Sequence, residues 1–435
     1  MPRFKHRTMI VFFFRKSIDI DHMAPVIYKA VQDYGDSVLV LSLNPTFNFS
    51  GDYRLRFLME RHNVKVDYVY RAWTPTMMHR IVAAILCGVR SKGFGLRRLV
   101  RSIYYRFVNR WAYNRVFDDE WAAELIESMR AEALVFDWIK PYQFVAGSLL
   151  RAANRLGVPT ISLPHGVSWV ANELSSTDLA ASGKSINYGE YYELFDHFVV
   201  QHPRFKEMVV KNGLPSEKVH VLGSSRFCDE WHQIHRNLVT DSDQLRRLDG
   251  DGKLKVVYMD SPPQRRMNVD AVTNSILRLS SLDFIEMLVI PHLRSNDLTA
   301  SALGPSGRIV SNIPAVSLVK WADVVIGTSS SVLLEVFLQN KILLYPKYFH
   351  ENTMIFEEYG ACWSVSDYDE LEAALKKADE DGAYKPYSDA EVRDLMTDLV
   401  YGGVEGRDVL GDHVRTIETA ISDSKQKMIA STASD

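Results

Sequence analysis

A chain of 435 residues, 46% hydrophobic and 24% charged, carries more apolar material than one core needs, and two domains are the natural expectation. Its 51 Lys and Arg against 54 Asp and Glu leave a net charge of -3, which excludes main-state disorder and speaks against a general nucleic-acid binder. Three widely spaced cysteines, Cys87, Cys228 and Cys362, form neither a disulfide framework nor a Cys/His zinc pattern, and a reducing compartment fits.

Met9 to Phe14 is apolar but runs straight into Arg15 and Lys16. It is too short for a secretory leader and lacks a small-residue cleavage site, so Thr8 to Phe14 reads as a first strand. The loop after it carries Asp19, Asp21 and His22 at a carboxyl edge. Further apolar runs follow at Ser37 to Leu43, Val64 to Tyr70, Ala133 to Phe136, Thr160 to Leu163, His197 to Gln201 and Val219 to Leu222. Unbroken runs of this length suit strands buried on both faces of a parallel sheet. Between them, Arg54 to His62, Asp118 to Ala131 and Pro141 to Leu156 read as helices. Asp118 and Asp119 complement the positive end of the second, and Gly157 and Pro159 stop the third.

Asn237 to Lys253 is polar, ends in Asp-Gly-Asp-Gly-Lys and reads as a linker. Strands then resume at Lys255 to Met259, Ile285 to Ile290, Arg308 to Val310, Val324 to Gly327 and Ile342 to Tyr345. Helices are predicted over Asp270 to Ser280, Ser330 to Gln339 and Asp367 to Ala378. Two βαβ series predict an α/β protein with two Rossmann-like domains facing a cleft. The expected boundaries are 1–236 for the N-terminal domain, 254–385 for the C-terminal domain, and 386–435 for closing helices and a frayed tail.

Residues 71–117 contain ten Lys or Arg and no Asp or Glu. Leu96, Leu99, Val100, Ile103, Phe107 and Trp111 share one helical face; Arg97, Arg98 and Arg101 lie on the other side, with Arg106 and Arg110 flanking. A basic amphipathic helix with aromatics suits an anionic membrane surface, here the inner membrane. A packing helix with solvated arginines has the same pattern. No window approaches the roughly 18–20 apolar residues of a membrane span. The best, Ile81 to Val89, is nine residues long and contains Gly88, so a cytoplasmic chain, peripheral at most, is expected.

Four constellations could carry chemistry. His165 and Gly166 follow the strand ending at Leu163, at the edge where open α/β sheets bind ligands. The imidazole could act as general base or be a bonded turn residue. Asp137, after the strand ending at Phe136, is a second candidate base. Asp19, His22 and Gly166 are expected on the acceptor side. His292 and Arg294 follow the strand ending at Ile290 and suit phosphate oxygens. In the third, Val324 to Gly327 leads into Thr328, Ser329, Ser330 and Ser331 at a helix start, an arrangement fit both for capping and for an anion. Glu335, one turn on, could accept from a ribose or sit in a salt bridge. Fourth, Ser224 and Arg226 follow the strand ending at Leu222, with Arg226 a candidate for a phosphate. Asp19-Ile20-Asp21 spells a DxD pattern, but the same spacing recurs at Asp241/Asp243, Asp249/Asp251 and Asp367/Asp369, so no metal is expected. Neither GxGxxG after the first strand nor GxxxxGK[ST] is present.

In order and spacing these stretches resemble the GT-B superfamily of glycosyltransferases, and within it the bacterial surface-polysaccharide type: CDP-glycerol glycerophosphotransferases, capsule Kdo transferases and sialyltransferases. Leu163-Pro164-His165-Gly166 resembles the acceptor-side His-Gly element, and Thr328 to Ser331 the phosphate-binding serine element. Pro291-His292-Leu293-Arg294 is similar to a donor-phosphate element, with Leu293 replacing a second proline and Ile290 a lysine. Phe195 to Arg226 resembles the stretch that closes the N-terminal domain. The resemblance implies metal-independent transfer from a CMP-, CDP- or UDP-linked sugar, with no further cofactor, to a lipid-linked or polysaccharide acceptor. The alternative is a sugar-nucleotide isomerase resembling UDP-N-acetylglucosamine 2-epimerases, which share the two-domain fold.

Overall fold

The computed structural model describes residues 9–88, 112–113, 115–164, 166, 171, 187–239, 245, 252–261, 267–291, 303–311 and 313–432. His165, His292, Arg294, the helix expected over 96–111 and most of the expected linker lie outside them. The chain divides into two compact units. The first comprises Met1–Gly166, Ile186–Trp231 and Val400–Asp435; the second comprises Val167–Ser185 and His232–Leu399.

The first unit is built on a seven-stranded sheet in the order β3-β2-β1-β4-β5-β6-β7, with every pairing parallel. Its strands are β1 (Met9–Phe14), β2 (Val38–Ser42), β3 (Lys65–Tyr68), β4 (Ala131–Asp137), β5 (Thr160–Leu163), β6 (His197–Val200) and β7 (Val219–Val221). All six side chains of β1 are buried, as its unbroken apolar run requires of a strand covered on both faces. Burial of this kind contributes about 1.5–3 kcal/mol per large apolar side chain, which is why β1 and β4 sit at the centre. β3 is the edge, three of its four residues reach solvent, and the chain turns at once into a single helical turn, Val69–Ala72. The strand expected to continue to Tyr70 stops at Tyr68, opposite Ser42, where its partner β2 also ends.

The longer helices up to this point are α1 (Ser17–Tyr34), α2 (Tyr53–His62), α3 (Met77–Gly88), α4 (Asp119–Met129), α5 (Ala146–Leu156), α6 (Pro203–Lys211) and α7 (Asp229–Leu238), the last of which continues into the second unit. Side chains close their first turns. Asp52 accepts from the N–H groups of Arg54 and Leu55, and Asp118 from that of Trp121. His202 caps α6 with Pro203 at its first position. Gly157 ends α5 in the left-handed region at φ 68°, the conformation that makes glycine the residue of choice there.

The second unit carries a six-stranded parallel sheet, β10-β9-β8-β11-β12-β13. Its strands are β8 (Leu254–Met259), β9 (Ile285–Ile290), β10 (Gly307–Ile309), β11 (Val324–Gly327), β12 (Ile342–Pro346) and β13 (Trp363–Val365). β13, three residues with only one buried side chain, carries too little apolar sequence to be read as a strand in advance. Around this sheet lie α8 (Val269–Leu279), α9 (Ala315–Trp321), α10 (Leu333–Leu338), α11 (Tyr368–Glu380) and α12 (Asp389–Leu399).

The chain then returns to the first unit as α13 (Val409–Thr432), helical to Thr432 where fraying was expected. Val409, Leu410, Val414, Ile417, Ala420 and Ile421 are buried. Tyr34 donates to Glu418 at 3.0 Å, and Lys425 pairs with Glu132 at 2.6 Å. Two parallel α/β units of this kind are the architecture expected from the sequence.

Candidate functional site

In the first sheet β1 and β4 are neighbours, with β2 and β3 to one side and β5 to β7 to the other. Strand order reverses between them, and the carboxyl ends on either side of such a point form a crevice. Three charged groups meet there. The Arg15 guanidinium, just past β1, bonds the carboxylate of Asp137, the last residue of β4, and the side-chain oxygen of Gln143. Asp19 accepts from the backbone N–H groups of Arg15 and Lys16, each at 2.9 Å, and lies 3.5 Å from the Arg15 Nε.

Asp19 and Asp137 are both fully buried. Burial, then the neighbouring charge of Asp19, pushes the Asp137 carboxyl well above the usual carboxylate range, against the pull of Arg15. For Arg15, burial works against the charge, and Asp137 and Asp19 more than offset it. Two carboxyls around one guanidinium leave an excess of negative charge, which favours the protonated form of Asp137.

The sequence reading puts Asp19, Asp21 and His22 in a loop. They lie instead in the first turns of α1. Pro25 interrupts that sequence, yet Ile20, Met23, Ala24 and Ile27 make a buried helical stripe through it. His22 is buried, with its ring edge-on to Phe227 and its carbonyl accepting from Ser225 at 2.7 Å. Asp21 pairs with Arg54 and, at 2.9 Å, with Arg226. Both carboxylates of the DxD pattern thus face arginines.

Arg226, expected to reach a phosphate, is held by Asp21 and stacks over Phe227. Ser224 is buried, and its backbone N–H donates to Val400 at 2.8 Å. Gly166 is fixed through its carbonyl, which accepts from the buried Gln201 at the end of β6 at 2.6 Å. That bond anchors the chain one residue after His165.

In the second sheet the order reverses between β8 and β11. Thr328 and Ser329 follow β11, and Asp260 and Ser261 follow β8. The Ser261 hydroxyl lies 2.8 Å from that of Thr328 and accepts from Ser329 at 3.1 Å. Asp260 accepts from the Ser261 N–H at 2.8 Å, and all four residues are buried. Gly327 leaves room for the Leu333 side chain, whose Cδ2 would stand 2.7 Å from a Cβ there. Ser330 and Ser331 are half-buried. The helix expected to start at Ser330 begins at Leu333 and is six residues long; the serines form the turn before it, and Ser330 accepts from the Val332 N–H at 3.4 Å. An anion here would therefore meet hydroxyls rather than the end of a long helix dipole.

Glu335 is buried, 3.4 Å from His232 Nδ1, and accepts from Gln339 at 2.8 Å. Pro291 follows β9 directly, and His292 and Arg294 continue from it outside the described residues. Ser261 and Arg15 are the residues that sequence reasoning missed. Each follows a strand at its carboxyl end, as the chosen residues do, but strand order marks them out and no local pattern encodes it.

No family model and no curated protein matches this sequence. The fold is similar to that of the UDP-N-acetylglucosamine 2-epimerase from Rickettsia bellii, at a TM-score of 0.56 and 14% identity over 96% of this chain and 98% of that one. It is also similar to the UDP-GlcNAc 2-epimerase of Neisseria meningitidis bound to UDP-GlcNAc (TM-score 0.54, 13% identity, 95% and 100% covered). The enzyme of Methanocaldococcus jannaschii in complex with UDP-GlcNAc and UDP gives a TM-score of 0.53 at 11% identity, with 95% and 100% covered. At such identities the likeness is one of fold. The chain has the two-unit, GT-B-type α/β fold that these proteins share.

Proposed function

We propose that the chain is a glycosyltransferase that moves a sugar or sugar-like group from a nucleotide-activated donor to a lipid-linked or polysaccharide acceptor in bacterial surface-polysaccharide synthesis. The observation that carries this reading is the hydroxyl cluster Ser261, Thr328 and Ser329 where strand order reverses in the second sheet. Preorganised hydroxyls and turn N–H groups in a water-poor site suit phosphate oxygens. In this reading Ser330 and Ser331 extend the phosphate cradle, and His292 and Arg294 neutralise charge on the departing nucleotide without a metal. His165 takes the acceptor proton. Arg15 and Asp137 form the floor of the acceptor side.

The test is a thermal-shift series with CMP, CDP, UDP and GDP. A nucleotide at a hundredfold excess over its Kd stabilises the native state by about 2.7 kcal/mol. One of the four is expected to raise Tm by a few degrees; no response to any of them overturns the reading. A second reading, a UDP-N-acetylglucosamine 2-epimerase-like isomerase, is favoured by the Asp19–Asp137 carboxyl pair beside Arg15, since such isomerisation moves protons. Incubation with UDP-N-acetylglucosamine alone separates the two: a changed C2 configuration without an acceptor selects the isomerase.

A further inference from the structure

Helix α3 is apolar on both sides. Its inner face, Val82, Ala83, Leu86 and Cys87, is buried in the core that also contains Tyr70, Phe117 and Trp121. His79 Nε2 lies 2.8 Å from the carbonyl of Val116 and ties the helix down from the same side. Among the described residues, packing therefore accounts for one face only. On the other, Met77 is 70% exposed, Met78 52%, Ile81 49% and Ile85 45%, a stripe at helical spacing along three turns. Single exposed apolar residues are ordinary; a contiguous set on a helix already anchored elsewhere marks a contact surface.

The charge around the stripe selects the occupant. Among the described residues of 71–117, Arg71, Arg80 and Arg115 are exposed and none is acidic. Two copies of this chain meeting through α3 would bring like-charged segments together, which opposes a symmetric dimer. An anionic lipid surface complements both features, taking the apolar side chains among its acyl chains and the arginines among its headgroups. Twelve residues are too few to cross a bilayer, so the helix would lie in its plane.

We propose that the outward face of α3, through Met77, Met78, Ile81 and Ile85, docks the protein on an anionic membrane. This surface is independent of the reaction catalysed, so it stands or falls separately from the transferase reading.

The experiment is cosedimentation of the full chain with phosphatidylglycerol/phosphatidylethanolamine vesicles and with phosphatidylcholine vesicles, at low and high salt. The wild type is expected to bind the anionic vesicles, weakly the neutral ones, and less in high salt. Ile81→Glu/Ile85→Glu is expected to lower the bound-to-free ratio about tenfold or more, because it replaces apolar contact with like charge. Ile81→Ser/Ile85→Ser, which adds no charge, should give an intermediate loss. Unchanged melting curves for both variants establish that the fold is intact. Absent or charge-indifferent binding by the wild type overturns the proposal, as does undiminished binding by the glutamate variant. A wild-type dimer that the glutamate variant converts to monomer, seen by light scattering, would assign the face to a second copy and overturn it equally.

Discussion

Arg15 holds Asp137 at the end of β4 while Asp19 crowds the same guanidinium. The raised Asp137 carboxyl fixes the sign of a pH effect. The unfolded chain releases that proton near pH ~4, whereas the folded chain keeps it to higher pH. The native state then binds more protons, and stability falls as pH rises through that interval. Asp137→Asn removes the titration. As pH rises above ~4, the wild-type Tm is expected to fall relative to that of the variant measured at the same pH. A parallel decline in both would refute the assignment. In the second unit, Ser261→Ala removes the hydroxyl that joins Thr328 and Ser329. The expected cost in stability is about 1 kcal/mol, with at least half of the nucleotide-induced Tm shift lost. An undiminished shift would place the phosphate elsewhere. Asp137, Thr328 and Ser329 could be chosen from sequence because each follows an apolar run. Arg15 and Ser261 could not, because what distinguishes them is adjacency between β1 and β4 and between β8 and β11, pairs far apart in sequence.

At the level of elements, unbroken apolar strands were the most legible feature, since burial on both faces leaves little room for polar residues. The misreadings have local causes. Pro25 removes the bond that its N–H would have made inside α1, a break normally read as an end. Here the buried stripe either side of it holds the helix together. The short α10 follows a serine turn whose hydroxyl and carbonyl groups satisfy the N–H groups of residues 332–334, so helical geometry is delayed to Leu333. The turn after β7 is equally specific. Gly223 has φ +83°, and a Cβ there would lie 2.3 Å from the carbonyl oxygen of Val400. Gly223→Ala is expected to destabilise by about 2 kcal/mol or more, through both backbone strain and displacement of the Val400 segment. A Tm within one degree of wild type, as an order-of-magnitude margin, would show that the turn relaxes freely.

Across the whole molecule, burial holds His220, His350 and His413 down at about 4. His220 also faces His197, 2.9 Å away. In each case the unfolded chain takes up a proton below pH ~6.5, and the native state does so only near 4. Stability is therefore full above pH ~6.5 and lost as pH falls toward 4, by up to about 1.4 kcal/mol per pH unit for each histidine. Three such groups outweigh the opposite slope of Asp137, so Tm is expected to fall steeply between pH 6.5 and 4.5 (a window set by the ordinary histidine value of about 6.5). An acid-insensitive Tm would show these rings to be solvated.

The last strand of the seven-stranded sheet ends at Val221, yet that unit is closed by Val400–Asp435. During translation at 5–20 residues per second, the finished sheet would wait roughly 10–40 s for α13. Until then the groove filled by Val409, Val414 and Ile417 stands open. A nascent chain with so delayed a closure offers chaperones a long-lived apolar target, and a premature stop codon near residue 400 would leave every strand in place and still yield a ward of the proteases.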